Sequence, residues 1–219
     1  MSNVIDALVF DLDGVLLDSE QIWDQVRESY ARENGARWHP NAQTDMMGMN
    51  SREWSRYMHD VFGLRQSPEK ISQDVARHVA NLYKQKLPLL DGAIEAVEQL
   101  TERWPLAVAS SSNREIIDVA LQLAGLRECF AVTVSSEEVP QGKPQPDVYL
   151  ETARRLGVTA SRCMAIEDSQ NGILAAKAAG MRVIAIPNRR YPPSPEALGV
   201  AALVLDSLTQ LTAATIDAL

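Results

Sequence analysis

Two aspartates separated by one residue, Asp11 and Asp13, follow a mostly apolar run that covers residues 5–10. The run is typical of a buried β-strand, and Gly14 allows the backbone to turn just after the aspartates. Open α/β sheets bind ligands at the carboxyl ends of their strands. Neighbouring carboxylates there repel each other unless a cation compensates, and Mg²⁺ prefers oxygen ligands. The pair therefore predicts a magnesium site, although two aspartates can also simply end a strand.

Polar residues also follow three further predicted strands. These residues are Ser110 and Ser111 after strand 106–109, Lys143 after strand 130–134, and Glu167 and Asp168 after strand 163–166. Parallel strands end at one edge of a sheet, so we expect these side chains to converge with the two aspartates. Carboxylates can attack phosphorus and transfer protons, whereas hydroxyl and ammonium groups can bind phosphoryl oxygens. Each residue alone could cap a helix or lie in a solvated loop, but their joint occurrence favours one phosphoryl-transfer site.

Predicted strands and helices alternate from residue 88 onward. Repeated units of this length predict an α/β fold with a doubly wound, parallel, Rossmann-like sheet. The earlier stretch is helical throughout, with predicted helices at 18–34, 41–47, 51–62 and 67–85. We therefore expect a catalytic core formed by residues 1–17 and 88–219, with an α-helical cap domain inserted at 18–87.

Composition limits the classes of partner. The 219 residues include 21 Lys and Arg against 29 Asp and Glu, a net charge of -8, which argues against a general nucleic-acid binder. Cys129 and Cys163 have no metal-site or disulfide spacing, so we expect a reducing, cytoplasmic setting. Asp6 and Asp11 interrupt the first apolar run, so we expect neither a signal peptide nor a membrane span. We expect a small phosphorylated partner, and a monomer or weak dimer.

Four segments in chain order resemble the motifs of the haloacid dehalogenase (HAD) superfamily. They are DLDGV at 11–15, LAVAS at 106–110, GKPQPD at 142–147 and IEDS at 166–169. The resemblance covers nearly the whole chain, including a helical segment after the first motif, as in the subgroup with an α-helical cap. It implies that Asp11 is a nucleophile that forms an aspartyl-phosphate and that Asp13 is the general acid and base.

The same resemblance implies a phosphate site and a metal site. Ser110 and Lys143 would hold the phosphoryl group. The implied Mg²⁺ ligands are Asp11, the backbone carbonyl of Asp13 and Asp168, with Glu167 beside or behind Asp168.

Within the superfamily, the second aspartate favours phosphoryl transfer over dehalogenation, because a halide leaving group needs no proton. Residues 167–170 resemble beta-phosphoglucomutase-like members, and Arg52 would then bind a distal phosphate. Those mutases carry a histidine where this chain has Trp23. The sequence thus predicts a Mg²⁺-dependent phosphatase for a small sugar or polyol phosphate. A sugar-phosphate mutase is the alternative, and a non-catalytic phospho-ligand binding protein is a third hypothesis that the intact residue set disfavours.

The predicted cap offers further candidates for substrate contact. The polar candidates are Glu20, Asn50 and Arg52. Three tryptophans, Trp23, Trp38 and Trp54, lie at helical spacing, which predicts that they pack mainly inside the cap.

Overall fold

In the computed structural model, which describes residues 4–46 and 49–219, six parallel strands form one sheet. The strands are β1 (Ala7–Phe10), β2 (Leu106–Ser110), β3 (Phe130–Ser135), β4 (Cys163–Glu167), β5 (Arg182–Ala185) and β6 (Leu203–Val204). Their order across the sheet is β3-β2-β1-β4-β5-β6. The order reverses between β1 and β4, which is where doubly wound sheets bind their ligands. The predicted fold class is confirmed.

Helices alternate with the strands and also fill the stretch after β1. The helices are α1 (Glu20–Glu33), α2 (Ala42–Met46), α3 (Ser51–Phe62), α4 (Pro68–Gln85), α5 (Ala93–Thr101), α6 (Arg114–Leu123), α7 (Asp147–Leu156), α8 (Gln170–Ala178), α9 (Pro195–Leu198) and α10 (Ala213–Asp217). Met47, the last residue of the predicted helix 41–47, lies outside the described residues. No helix within the described ranges is long and apolar enough to cross a membrane.

The central strand β1 is buried on both faces. Leu8 and Phe10 belong to one hydrophobic cluster, and Ala7 and Val9 belong to a second cluster on the opposite face. Successive strand residues point to opposite faces, and helices cover both faces, so a continuous apolar run is needed here. The rigid end of this strand positions the residues that follow it.

Helices α1–α4 form an insert between β1 and α5. The capping box of Asn50 and Glu53 starts α3, and the Ser67 side chain accepts a hydrogen bond from Lys70 N at the start of α4. These caps satisfy backbone N–H groups that have no partner inside a helix, so both helices begin at defined residues.

Two chain segments join this insert to the sheet, one before α1 and one after α4. Asp18 N donates to the Pro88 carbonyl oxygen at 2.7 Å, and Leu90 N donates to the Leu16 carbonyl oxygen at 3.0 Å. The two segments therefore run side by side, and the insert leaves and rejoins the core at one place, close to the carboxyl end of β1.

Candidate active site

Two glycines allow backbone segments to approach the acidic residues of the sheet edge. Gly14 has φ +86°, and a Cβ atom there would lie 2.0 Å from Asp168 Oδ2. At Gly172, in the first turn of α8, a Cβ atom would lie 1.6 Å from Glu167 Oε1. No side chain fits at either distance, so both positions require glycine.

Lys143 is the buried cation of the site. Its Nζ donates to Asp11 Oδ1 and Glu167 Oε1, each at 2.7 Å, and to the Ala109 carbonyl oxygen at 3.0 Å. Burial alone would lower the pKa of Lys143, but the charges of Asp11 and Glu167 raise it well above its ordinary value. All three N–H donors are used, so the ammonium group is held in one position beside Asp11.

Glu167 lies behind Lys143 and Asp168 and accepts hydrogen bonds from both. Its Oε1 accepts from Lys143 and from the Tyr149 hydroxyl at 2.8 Å. Its Oε2 accepts from Asp168 N at 2.9 Å and from the Ser169 amide and hydroxyl at 3.0 Å each. Burial would raise the pKa of this carboxyl, but the Lys143 ammonium and these donors keep it below its usual range. Protein donors thus occupy both oxygens of Glu167.

Asp11, Glu167 and Asp168 form a buried acidic cluster. Each offers a carboxylate oxygen within 4.8 Å of the others. Burial raises the pKa of Asp11 to about 7 and that of Asp168 well above its ordinary value, and the Glu167 charge adds to both shifts. Asp168 Oδ1 is buried and has no partner among the described residues, whereas Oδ2 accepts from Asn188 Nδ2 at 3.3 Å. An all-oxygen set with such an orphaned oxygen fits a hard divalent cation.

The Asp13 carboxylate is held by donors from both the core and the insert. Its Oδ1 accepts from the Ser19 hydroxyl at 2.5 Å and from Trp23 Nε1 at 3.3 Å. Its Oδ2 accepts from the Ser112 hydroxyl at 2.6 Å, with the Ser110 hydroxyl at 3.5 Å. The Ser19 hydroxyl makes no capping hydrogen bond at the start of α1, so it is available to donate to Asp13. The carboxylate is therefore fixed by this network.

A cavity of about 380 Å³ lies between the sheet edge and the insert. The core residues that line it include Asp11, Asp13, Ser111, Ser112, Lys143, Asp168 and Tyr191, and those from the insert include Glu20, Trp23, Asp24, Arg27 and Trp54. A cavity of this size holds a small molecule, with carboxylates and an ammonium group at its floor.

A family model described as haloacid dehalogenase-like hydrolase matches residues 5–180. The chain belongs to this family. Hexitol phosphatase B of Escherichia coli (strain K12) is 35% identical over 214 residues, which are 94% of each chain.

Two further comparisons place this HAD-like hydrolase among known relatives. Fructose-1-phosphate phosphatase YqaB of Escherichia coli (strain K12) is 31% identical over 187 residues, covering 81% of this chain and 94% of that protein. The crystal structure of CbbY from Rhodobacter sphaeroides in complex with phosphate superposes with a TM-score of 0.83 at 25% identity. That match covers 98% of this hydrolase and 100% of CbbY.

The hydrolase brings most of the predicted core residues to one place. Glu167 lies behind the cavity that Asp11, Lys143 and Asp168 line. Ser110 is fully buried, its hydroxyl accepts from Ser112 N at 3.0 Å, and it does not line the cavity. Of the two predicted serines, only Ser111 faces the cavity.

The predicted contacts from the insert divide into two groups. Glu20 lines the cavity, and burial, followed by the charges of Asp24 and Asp13, raises its pKa to about 7. Asn50 and Arg52 do not line it: Asn50 caps α3, and an Arg52 N–H donates to the backbone carbonyl oxygen of Glu137.

The aromatic residues of the insert also divide. Trp23 and Trp54 are buried in the hydrophobic core and pack edge-to-face against each other, as expected, and they also line the cavity, whereas Trp38 packs against Phe62 with ring centroids 5.0 Å apart. Asp24 and Arg27 also line the cavity and were not among the predicted residues. Residues 20, 23, 24 and 27 form one stripe on a helix, but the sequence does not show that this stripe faces the cavity.

Proposed function

We propose that this hydrolase removes phosphate from a small phosphate monoester, a phosphorylated sugar or polyol, through an aspartyl-phosphate on Asp11. The observation that carries the proposal is the pairing of Asp11 with the fixed Lys143 ammonium at 2.7 Å, beside an Asp13 carboxylate that four side chains surround. The hexitol and fructose-1-phosphate phosphatases among its relatives support this class of substrate.

The reaction follows in two steps from these side chains. Asp11 attacks phosphorus while Asp13 gives its proton to the oxygen of the leaving alcohol, and the P–O bond to that alcohol breaks. Asp13 then takes a proton from water, whose oxygen attacks phosphorus and releases phosphate from Asp11. Ser111 holds a phosphoryl oxygen, and the positive charge of Lys143 beside Asp11 compensates the charge in both steps.

The acidic cluster is proposed to hold Mg²⁺. Asp11, Asp168 and the Asp13 carbonyl would bind the ion, and Glu167 would orient Lys143 and Asp168 from behind, because protein donors occupy both of its oxygens. When bound, the ion would neutralise phosphoryl charge. The buried, unpartnered Asp168 Oδ1 supports this assignment.

The insert is proposed to act as a cap domain of residues 18–87 that closes over a core of residues 1–17 and 88–219. The Ser51 hydroxyl donates to Glu137 Oε1 at 2.8 Å, and the Tyr191 hydroxyl donates to Asp24 Oδ2 at 3.0 Å. These bonds join the insert to the core, so opening would admit substrate and closing would exclude water.

Two observations favour the phosphatase over the mutase. A mutase must hold a second phosphate, but Arg52 donates to Glu137 outside the cavity. The Trp23 indole, at the position of the mutase histidine, contacts Asp13. The complete set of nucleophile, acid and cation disfavours a protein that only binds phospho-ligands. A cytoplasmic location, the absence of nucleic-acid partners and a monomeric or weakly dimeric state stay predictions.

Phosphate release from a panel of phosphorylated compounds tests the proposal. The panel is sorbitol 6-phosphate, glucose 6-phosphate, fructose 1-phosphate, phosphoglycolate and a nucleotide, each with Mg²⁺ and with chelator. We expect release from one or two sugar or polyol phosphates that stops with chelator. Conversion of β-glucose 1-phosphate to glucose 6-phosphate without phosphate release would support the mutase, and no turnover of any compound would contradict an enzyme of this class.

A further inference from the structure

Helix α1 presents a stripe of charged and aromatic residues to the cavity. Trp23 and Asp24 lie three and four residues after Glu20, and four and three residues before Arg27, so all four share one face of the helix. All four line the cavity that contains Asp11. The two-step reaction uses neither Asp24 nor Arg27, and the bond from Tyr191 accounts for only one oxygen of Asp24.

Arg27 is a buried cation with unused donors. Its side chain is 12% exposed, and its closest ion-pair contact is Asp24 Oδ1 at 4.0 Å, which is beyond hydrogen-bond distance. Within residues 4–46 and 49–219, Arg27 Nε has no partner. The guanidinium carbon lies 5.1 Å from the Trp23 ring centroid and 4.9 Å from that of Trp54, so two indoles hold the group in place.

The surroundings of Arg27 are acidic. The Tyr191 hydroxyl occupies only Oδ2 of Asp24, which leaves Oδ1 facing the guanidinium. Glu20 lies on the same stripe, and burial with the charges of Asp24 and Asp13 raises its pKa to about 7. Burial likewise lowers the pKa of Arg27 to about 10, because the Asp24 charge offsets burial only in part.

These charges distinguish neutral from anionic ligands. A second phosphate or a carboxylate beside Arg27 would meet one cation that already faces the Asp24 carboxylate, and like charges repel strongly where water is excluded. A hydroxyl group can accept from Arg27 and donate to Asp24 at the same time. The stripe therefore favours neutral chains with several hydroxyl groups over anionic groups.

We propose that Arg27 and Asp24 bind the hydroxyl groups at the end of the substrate remote from its phosphate. The pair thereby selects neutral sugar or sugar-alcohol monophosphates over compounds with a second phosphate or a carboxylate. This inference rests on the proposed function and assigns the substrate specificity of the same site to two residues of α1.

The test compares kcat and KM of Arg27→Met, Asp24→Asn and the wild type on sorbitol 6-phosphate and on p-nitrophenyl phosphate, which has no hydroxyl chain. We expect Arg27→Met to lose about 10-fold to 100-fold in kcat/KM for sorbitol 6-phosphate, mainly through KM, because charged hydrogen bonds to substrate are lost. For p-nitrophenyl phosphate we expect less than about a 2-fold change. The matched control is Arg32→Met, an exposed arginine of the same helix.

Asp24→Asn provides an independent test, because it removes the negative charge of the side chain and keeps its shape. We expect its kcat/KM for fructose 1,6-bisphosphate to rise at least about 5-fold relative to fructose 1-phosphate. Thermal unfolding checks that each variant is folded, and Arg27→Lys replaces Arg27→Met if the latter is not.

The measurements distinguish failure of the proposed function from failure of the inference about Arg27 and Asp24. If the wild type releases phosphate from nothing in the panel, the proposed function fails. If the wild type is active but the Arg27 variant loses equally on both substrates, or Asp24→Asn leaves the bisphosphate preference unchanged, this inference alone is overturned.

Discussion

Loss of Lys143 should destabilise the fold strongly. Lys143→Met leaves two buried carboxylates, Asp11 and Glu167, without their shared cation. Removing one partner of a buried ion pair typically costs about 3–5 kcal/mol, so we expect the free energy of unfolding to fall by about that much. Urea unfolding in the presence of a chelator measures this change in the free energy of unfolding. The control is Lys177→Met at an exposed site of α8, and equal stabilities of the two variants would contradict the account.

Glu20 gives the stability of the protein a pH dependence. Its pKa is raised to about 7 by burial and by the carboxylates of Asp24 and Asp13, so the folded protein holds this proton more tightly than the unfolded chain does. The resulting stabilisation is complete below the unfolded pKa of about 4.3 and is lost as pH rises through about 7. We expect Glu20→Gln to gain Tm relative to wild type between pH 5 and pH 8. A difference in Tm that is constant with pH would exclude this role.

Single residues also mark the limits of sequence analysis. Asp11, Asp13 and Lys143 were predictable because the ends of parallel strands meet at one edge, whatever the details of packing. Ser19 and Arg27 were not, because their roles depend on how the face of α1 is oriented toward that edge. That orientation comes from tertiary packing, which helical periodicity alone does not fix.

At the scale of elements, α8 is packed so closely that its glycine is required. A glycine-to-alanine change inside a helix normally stabilises by about 1 kcal/mol. Gly172→Ala would instead place a Cβ atom against Glu167, which five hydrogen-bond donors hold in place, so we expect a loss of about 1–3 kcal/mol. Denaturant unfolding measures it against Gly199→Ala, where the nearest atom to a Cβ is 3.3 Å away. Equal effects would contradict this packing argument.

Most element positions followed from local sequence signals. The predicted helix 51–62 and the observed α3 coincide because the Asn50–Glu53 capping box fixes its start. Helix α5 ends at Thr101, because the chain turns there and returns to β2, which pairs with β1. Long-range pairing of this kind has no signal in the local periodicity.

At the scale of the whole molecule, a cation bound by the acidic cluster should stabilise the native state. Only the folded protein brings Asp11 and Asp168 together, so a ligand of this cluster raises Tm by mass action. We expect Mg²⁺ to raise the Tm of the wild type by several degrees, with a much smaller effect on Asp168→Asn. Differential scanning calorimetry with and without Mg²⁺ measures this. Equal shifts in the two proteins would place the ion elsewhere.

The fold as a whole was predictable because alternation of strands and helices allows few topologies. The position of the insert over the sheet edge, and hence the division of the cavity lining between two parts of the chain, depends on contacts such as Ser51 with Glu137 and Asp24 with Tyr191. These pairs lie far apart in sequence, and their residue types are common on protein surfaces. No local pattern identifies them.

Asp11 is proposed to be the nucleophile of a Mg²⁺-dependent phosphatase. The rate of phosphate release by Asp11→Asn on the best substrate of the wild type tests this role, with circular dichroism and thermal unfolding as checks of folding. We expect a folded variant with at least about a 1,000-fold lower kcat, because an amide cannot form the phosphoenzyme. Turnover by the folded variant close to that of the wild type would show that Asp11 is not the nucleophile.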